Sequence, residues 1–201
     1  MTTVVDHLGA AQWDTWYREG RAIDRLLTDA EVDRFLQHVN PSAGSSVLDV
    51  GCGIGGFSRQ LFRWGYDVLG LDFSPAAIQT ARRQGTQGRL RYGVHNFDAD
   101  AIPAQLQPGS LDLIVCRNVL PFIDHQRFMV DARRWLRPGG QLYVLVRVWP
   151  ERGGEPNEKP WQRGFTDEQV QDLQNGWAEQ ERWWLGRHAA LFLSGARHRD
   201  L

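Results

Sequence analysis

Val47-Leu48-Asp49-Val50-Gly51-Cys52-Gly53-Ile54-Gly55-Gly56 is the stretch that decides the fold. With Ser46 before it, its first part is a short apolar run, the pattern of a strand covered on both faces, and the run stops at a glycine cluster. Residues 55–64 then place Phe57, Leu61 and Phe62 at helical spacing, with Gly65 as a left-handed terminator. Strand, glycine turn and helix are contiguous. A turn this poor in side chains lets backbone amides approach a ligand closely, and the helix N-terminus beyond it favours electron-rich groups. A nucleotide-bearing ligand is implied.

The same alternation continues outward. Upstream, Thr28-Asp29-Ala30-Glu31 has capping-box spacing and opens a helix over 28–39 with Val32, Phe35, Leu36 and Val39 on one face. Downstream, 66–71 is a second strand, and Ser74-Pro75 caps and starts a helix running to about residue 83. Strands follow at 90–96 and 111–116, then a helix over 124–136 from Asp124 that Pro138-Gly139-Gly140 ends, then a fifth strand at 141–148. Residues 150–160, rich in proline, glycine and charge, form a surface loop. A second capping box, Thr166-Asp167-Glu168-Gln169, starts a short helix, and 178–185 and 188–194 are two weaker strands. Strands alternating with helices specify βαβ units and a parallel sheet.

The chain has 201 residues, the size of one domain, so 1–201 is expected to be a single unit. With 23 basic and 24 acidic residues its formal net charge is −1, without the basic excess that favours a polyphosphate backbone, so nucleic acid is not the expected partner. The first ten residues have neither a positive start nor an apolar run, and no stretch reaches the ~20 apolar residues of a membrane span. Cys52 and Cys116 form no CxxC pair and no bridge framework, which makes a reducing cytoplasm the default compartment. Nine tryptophans, among them Trp13, Trp149 and Trp161, fill core and rim volume and as a group are candidates to line a pocket.

Two motifs compete for the glycine turn. Gly51, Gly53 and Gly56 match the GxGxxG dinucleotide fingerprint, with Asp72 near the ~20-residue offset at which an acid holds a ribose diol. Yet about forty-five residues precede the strand, no second domain follows, and the nearest Tyr-x-x-x-Lys match, Tyr143 to Arg147, ends in arginine. The dehydrogenase reading lacks its chemistry. Asp49-Val50-Gly51-Cys52-Gly53-Ile54-Gly55 instead resembles the DxGxGxG loop of class I S-adenosylmethionine-dependent methyltransferases. Asn96-Phe97-Asp98-Ala99 resembles that family's adenine-binding turn, Leu111-Asp112-Leu113-Ile114-Val115-Cys116 its fourth strand, and Arg134-Trp135-Leu136-Arg137-Pro138-Gly139-Gly140 its turn before the fifth. The likeness covers residues 47–147, half the chain.

The resemblance implies an α/β, Rossmann-like, mostly parallel seven-stranded sheet with helices on both faces and a C-terminal antiparallel hairpin. It implies S-adenosyl-L-methionine as cofactor and no metal. Gly51, Gly53 and Gly55 would meet its methionine and ribose part, Asp49 would orient the loop and the cofactor ammonium, and Asp72 would accept both ribose hydroxyls. Asp98 with the Ala99 amide would read the adenine edge, and Trp16, Cys52, Phe73 and Arg117 complete the cofactor set. Within the domain, 1–40 is expected to be a helical lid, 41–148 the cofactor core, 149–164 a mobile loop at the acceptor site, and 165–201 a helix and hairpin.

Methyl transfer is an in-line displacement at a carbon the cofactor itself activates, so no catalytic residue is assigned and a dedicated base is not required. Ligands of open α/β sheets sit beyond the carboxyl ends of the strands. This places the acceptor near Arg117, Asn118, Phe122, His125, Arg147 and Trp149, with Tyr17 and its neighbours Trp13 and Trp16 contributed by the lid. The segment Trp13-Asp14-Thr15-Trp16-Tyr17 resembles the start of thiopurine and tellurite-resistance methyltransferases. Two arginines at adjacent strand ends suit a small, planar or anionic acceptor. Two further functions compete. A nucleic-acid methyltransferase would carry [Asn/Asp]-Pro-Pro-[Tyr/Phe] after the fourth strand, where Asn118-Val119-Leu120-Pro121 fails at its second residue, although residues 182–187 and 197–199 are locally basic. A non-catalytic S-adenosylmethionine-binding subunit would bind the cofactor without releasing S-adenosylhomocysteine. Oligomeric state has no signature in the sequence.

Overall fold

Ser46–Val50 is β1, and its alternate side chains go to opposite faces of a sheet covered on both sides. The computed structural model describes residues 9–22, 27–39, 42–149 and 163–196. They comprise α1 (Ala10–Arg18), α2 (Asp29–His38), β1, α3 (Gly56–Arg63), β2 (Asp67–Asp72), α4 (Pro75–Gln84), β3 (Leu90–Val94), β4 (Leu111–Arg117), α5 (His125–Trp135), β5 (Leu136–Arg147), α6 (Asp167–Asp172), β6 (Trp177–Leu185) and β7 (His188–Ala196). A short 3₁₀ turn, Leu120–Phe122, lies between β4 and α5.

The seven strands run in the order β3-β2-β1-β4-β5-β7-β6, parallel up to β5 and antiparallel at β7 and β6. This is the mostly parallel, Rossmann-like sheet with a terminal antiparallel hairpin that the resemblance implies. Leu48 and Val50 pack with Ile114, Leu142, Val144, Leu191 and Leu193 against Phe128 and Trp135 of α5 and Val170 of α6. Val47 packs with Val68, Leu113, Val115 and Tyr143 against Phe35 of α2, Phe57 and Leu61 of α3 and Ile78 of α4. Because β2 lies on one side of β1 and β4 on the other, the crossovers diverge above β1 and leave a crevice at its carboxyl end.

The helix caps follow the sequence. The hydroxyls of Ser74 and Thr166 and the Asp124 carboxylate accept amide hydrogen bonds from Ala77, Gln169 and Arg127. Two expectations need correction. Thr28 accepts from the Glu31 amide, but the Glu31 carboxylate does not complete a capping box, because it turns inward to Arg117 and Tyr143. Glu31 and Phe35 are the buried residues of α2, and Leu36, expected on its inward face, stands 48 % exposed. Strand pairing of β5 begins at Leu136, through the proline-glycine turn, with a register shift opposite Leu111 and Leu113. Trp161, residues 197–199 and most of 149–164 lie outside the described residues.

Candidate functional site

The loop after β1 is built by three left-handed residues, Gly51, Gly53 and Gly55, at φ 64°, 54° and 81°. A side chain at Gly51 would meet Val119 at 2.5 Å, and one at Gly55 would meet the Tyr92 hydroxyl at the same distance. Only glycine keeps this path, and the path leaves bare backbone facing the crevice.

Two carboxylates flank it. Asp49, at 3 % exposure, accepts from the Ser58 hydroxyl of α3 at 2.5 Å, and Asp72 accepts from the amides of Gly53 at 3.0 Å and Ser74 at 2.9 Å. Burial pushes the Asp49 carboxyl up from 3.8 to about 7, against the opposing Ser58 hydrogen bond and the nearby Arg117 cation. Burial likewise lifts Asp72 to about 6, with its two amide donors opposing. Acids held this far above their ordinary value are poised to gain from a cationic or hydroxyl-rich ligand.

Opposite the loop stands α1. Its Asp14 accepts from the Ser74 hydroxyl at 2.7 Å and the Ala76 amide at 2.9 Å, docking the helix on the N-terminus of α4. The Ala76 and Ser74 donors hold the Asp14 carboxyl below the ordinary range. The aromatic stripe of α1 turns inward: Trp13 meets Trp16 at 5.4 Å and Phe122 at 5.4 Å, and the Tyr17 hydroxyl lies over Gly53. Asn118, just past β4, is held at φ 57°. Its Oδ1 and the Trp13 indole nitrogen are buried without a hydrogen-bond partner among the described residues. Strain and an unmet acceptor at one residue mark a place where a ligand completes the structure.

Together these groups enclose a cavity of 220 Å³. Trp16, Tyr17, Asp49, Gly51, Cys52, Gly53, Asp72, Phe73, Arg117 and Asn118, all expected in the site, line it. Gly55 shapes the turn beneath. Asp98 and Ala99 do not line it: Asp98 Oδ1 accepts from the Asp124 amide at 2.9 Å, and the Ala99 amide donates to Asn96. His125 lies in a neighbouring cavity, and the Arg147 guanidinium covers the Trp149 ring at 4.3 Å.

Arg117 reaches the cavity but is not free to clamp an acceptor anion. Its Nε and Nη2 donate to the two Glu31 oxygens at 2.8 Å each, Tyr143 donates to Glu31 Oε1 at 2.8 Å, and the guanidinium lies over Phe57. From sequence Glu31 reads only as part of a capping box and Asp14 only as part of the lid segment, and Ser58 is not singled out. Ser58 had the only local signal, a hydroxyl in the first turn of the helix that the glycine loop opens.

Residues 48–144 match the family model of a methyltransferase domain. The chain is 30 % identical over 139 residues to the ubiquinone biosynthesis O-methyltransferase of Acinetobacter baylyi, covering 67 % of this chain and 56 % of that protein. It is 35 % identical over 119 residues to the protein of the same description from Xylella fastidiosa, covering 59 % and 48 %. The chain thus spans about half the length of the curated relatives it matches. Among solved structures, a putative methyltransferase complexed with the Trm112 methyltransferase activator of Haloferax volcanii superposes with a TM-score of 0.70 at 22 % identity, over 93 % of this chain and 98 % of that one. The geranyl diphosphate C-methyltransferase of Streptomyces coelicolor superposes with a TM-score of 0.66 at 17 % identity, over 84 % and 76 %.

Proposed function

We propose that this chain, which belongs to the class I S-adenosylmethionine-dependent methyltransferases, transfers a methyl group to a small-molecule acceptor. The observation that carries this is the cavity itself: a glycine-rich loop between two buried carboxylates of raised pKa, faced by the aromatic stripe of α1. S-adenosylmethionine, when bound, supplies a methyl carbon already activated by a sulfonium. Asp49 receives the ammonium. Asp72 has spent two of roughly four acceptor positions on Gly53 and Ser74 and offers the remainder to the ribose hydroxyls. Phe73, which lines the cavity, offers its ring to the adenine.

Asn118 Oδ1 accepts a donor from cofactor or acceptor. The α1 helix acts as a lid, and Tyr17 with Trp13 excludes water from the reacting atoms. Holding nucleophile and carbon in near-attack geometry supplies ~7–11 kcal/mol, so positioning is the protein's main contribution. Cys52 and Cys116, both free thiols, fit a reducing cytoplasm. Among the described residues no helix is long and apolar enough to cross a membrane.

Titration calorimetry tests the cofactor: S-adenosylmethionine and S-adenosylhomocysteine should each give saturable heat, and silence from both sinks the proposal. Release of S-adenosylhomocysteine on supplying phenolic and carboxylic acceptors separates an enzyme from a binder.

The carboxylates also set a pH dependence. Between pH 3.8 and about 7 the folded apo-protein holds a proton on Asp49 that the unfolded chain gives up, so this group's contribution to stability falls as pH rises through that window. The ammonium stabilises the ionised carboxylate, so binding releases that proton. With Asp49 at about 7, affinity for S-adenosylhomocysteine should drop about tenfold from pH 8 to pH 6. Calorimetry at pH 6.5 in buffers of different ionisation enthalpy should detect proton release. Uptake, or no pH effect, would count against the role of Asp49.

A further inference from the structure

Among the described residues Asn118, the first after β4, is the only one besides glycines whose backbone is left-handed, at φ 57°. Its amide donates to the Leu145 carbonyl at 2.7 Å, so β5 fixes where it stands. The next residue, Val119, packs so closely against the glycine loop that a side chain at Gly51 would meet it at 2.5 Å. Asparagine tolerates this backbone better than most residues, yet at some cost, and its buried Oδ1 has no hydrogen-bond partner to set against that cost. On α1 the Trp13 indole nitrogen is likewise buried and unpaired, and its ring meets Phe122, four positions beyond Asn118, at 5.4 Å. Both residues line the cofactor cavity. One wall of the cavity therefore carries an unmet acceptor and an unmet donor, each of which a ligand could complete.

The cofactor has no donor left for Oδ1. In the reading above its ammonium goes to Asp49 and its ribose hydroxyls to Asp72, and its adenine lies toward Phe73, past β2, whereas Asn118 stands on the other side of β1. The donor then comes from the acceptor molecule. An anionic accepting group is disfavoured at this wall, because Asp49 and Asp72 line the same cavity and Arg117 is held by both oxygens of Glu31.

Resting on the methyltransferase reading, we propose that Asn118 and Trp13 together select the accepting group, and that it is a neutral hydroxyl on an aromatic ring. The hydroxyl donates to Asn118 Oδ1, and its oxygen takes the Trp13 N–H on one lone pair and keeps the other for the methyl carbon. A neutral amine has a single lone pair, which a hydrogen bond from the indole would occupy. The oxygen–carbon bond forms as the carbon–sulfur bond breaks, the electron pair stays on sulfur, and the hydroxyl proton passes to water, since an amide is too weak a base to keep it. The rings of Phe122 and Trp13 give the aromatic body its apolar contact.

The test titrates phenol and its near-isostere fluorobenzene, which offers no proton, by ligand-observed NMR into the protein saturated with S-adenosylhomocysteine. Phenol should bind about tenfold more tightly although it is the more polar probe, because fluorobenzene leaves both buried groups unmet. Asn118→Gly, which a left-handed backbone accepts without strain, should bring the two within about twofold, and Asn118→Asp, which restores an acceptor oxygen, should recover the preference. Trp13→Phe keeps an aromatic ring, removes the N–H and leaves the turn after β4 intact, so it should weaken phenol by about threefold or more while fluorobenzene is unchanged. Affinity for S-adenosylhomocysteine should stay within about twofold in Asn118→Gly. Its loss in that variant would assign Oδ1 to the cofactor and overturn the proposal. Equal binding of the two probes by the wild-type protein, binding of neither, or a preference undiminished in Asn118→Gly or in Trp13→Phe overturns it as well, while leaving the cofactor assignment standing. Failure of the wild-type protein to bind S-adenosylhomocysteine is a different result, and removes the reading on which the hydroxyl selection rests.

Discussion

Replacing Glu31 by alanine is expected to lower the thermal midpoint on the order of 10 °C. Glu31 is 4 % exposed and serves two partners, Arg117 through both carboxylate oxygens and Tyr143 through one. Its removal leaves the guanidinium, whose side chain is 14 % exposed, without its paired charge. Breaking a buried pair from one side costs about 3–5 kcal/mol, far more than the pair contributes relative to apolar residues of similar shape. For a chain of this size each kcal/mol moves the midpoint by about 2–4 °C. The double variant Glu31→Gln, Arg117→Met, which removes both charges, should recover most of the loss in a scanning calorimeter. A midpoint unchanged in Glu31→Ala would show that water already screens Arg117.

Asp72→Ala should weaken binding of S-adenosylmethionine by about 10- to 100-fold, the range set by losing charge-assisted hydrogen bonds of about 1.5–3 kcal/mol. The fold should survive. Burial already lifts the Asp72 carboxyl to about 6, so its ionisation is held against a desolvation cost that alanine removes, offsetting the two amide bonds from Gly53 and Ser74. Calorimetry gives the affinity, and circular dichroism shows whether the melt moves by more than a few degrees. A folded variant with unchanged affinity would mean that the ribose is held elsewhere.

Much of this arrangement was legible from one dimension because its signals are local. Strand β1, its glycine turn and α3 are contiguous, and an unbroken apolar run such as Leu113-Ile114-Val115 announces a strand covered on both faces. The caps at Ser74, Asp124 and Thr166 each depend on a residue three positions away. What sequence did not give is carried by long-range pairs. Glu31 meets Arg117 across 86 positions and Tyr143 across 112, and Asp14 meets Ser74 across 60. In sequence Glu31 is indistinguishable from the third residue of a capping box, and its inward contact depends on partners no local pattern reveals.

The contact between α1 and α4 has a consequence for acid conditions. Asp14 is held below the ordinary carboxylate range by the donors it receives, whereas Asp49 and Asp72 beneath it are held above. As protons are added, the chamber is discharged first and its fastening last. A mildly acidic solution therefore neutralises Asp49 and Asp72 while Asp14, which fastens α1 to the N-terminus of α4, keeps its charge.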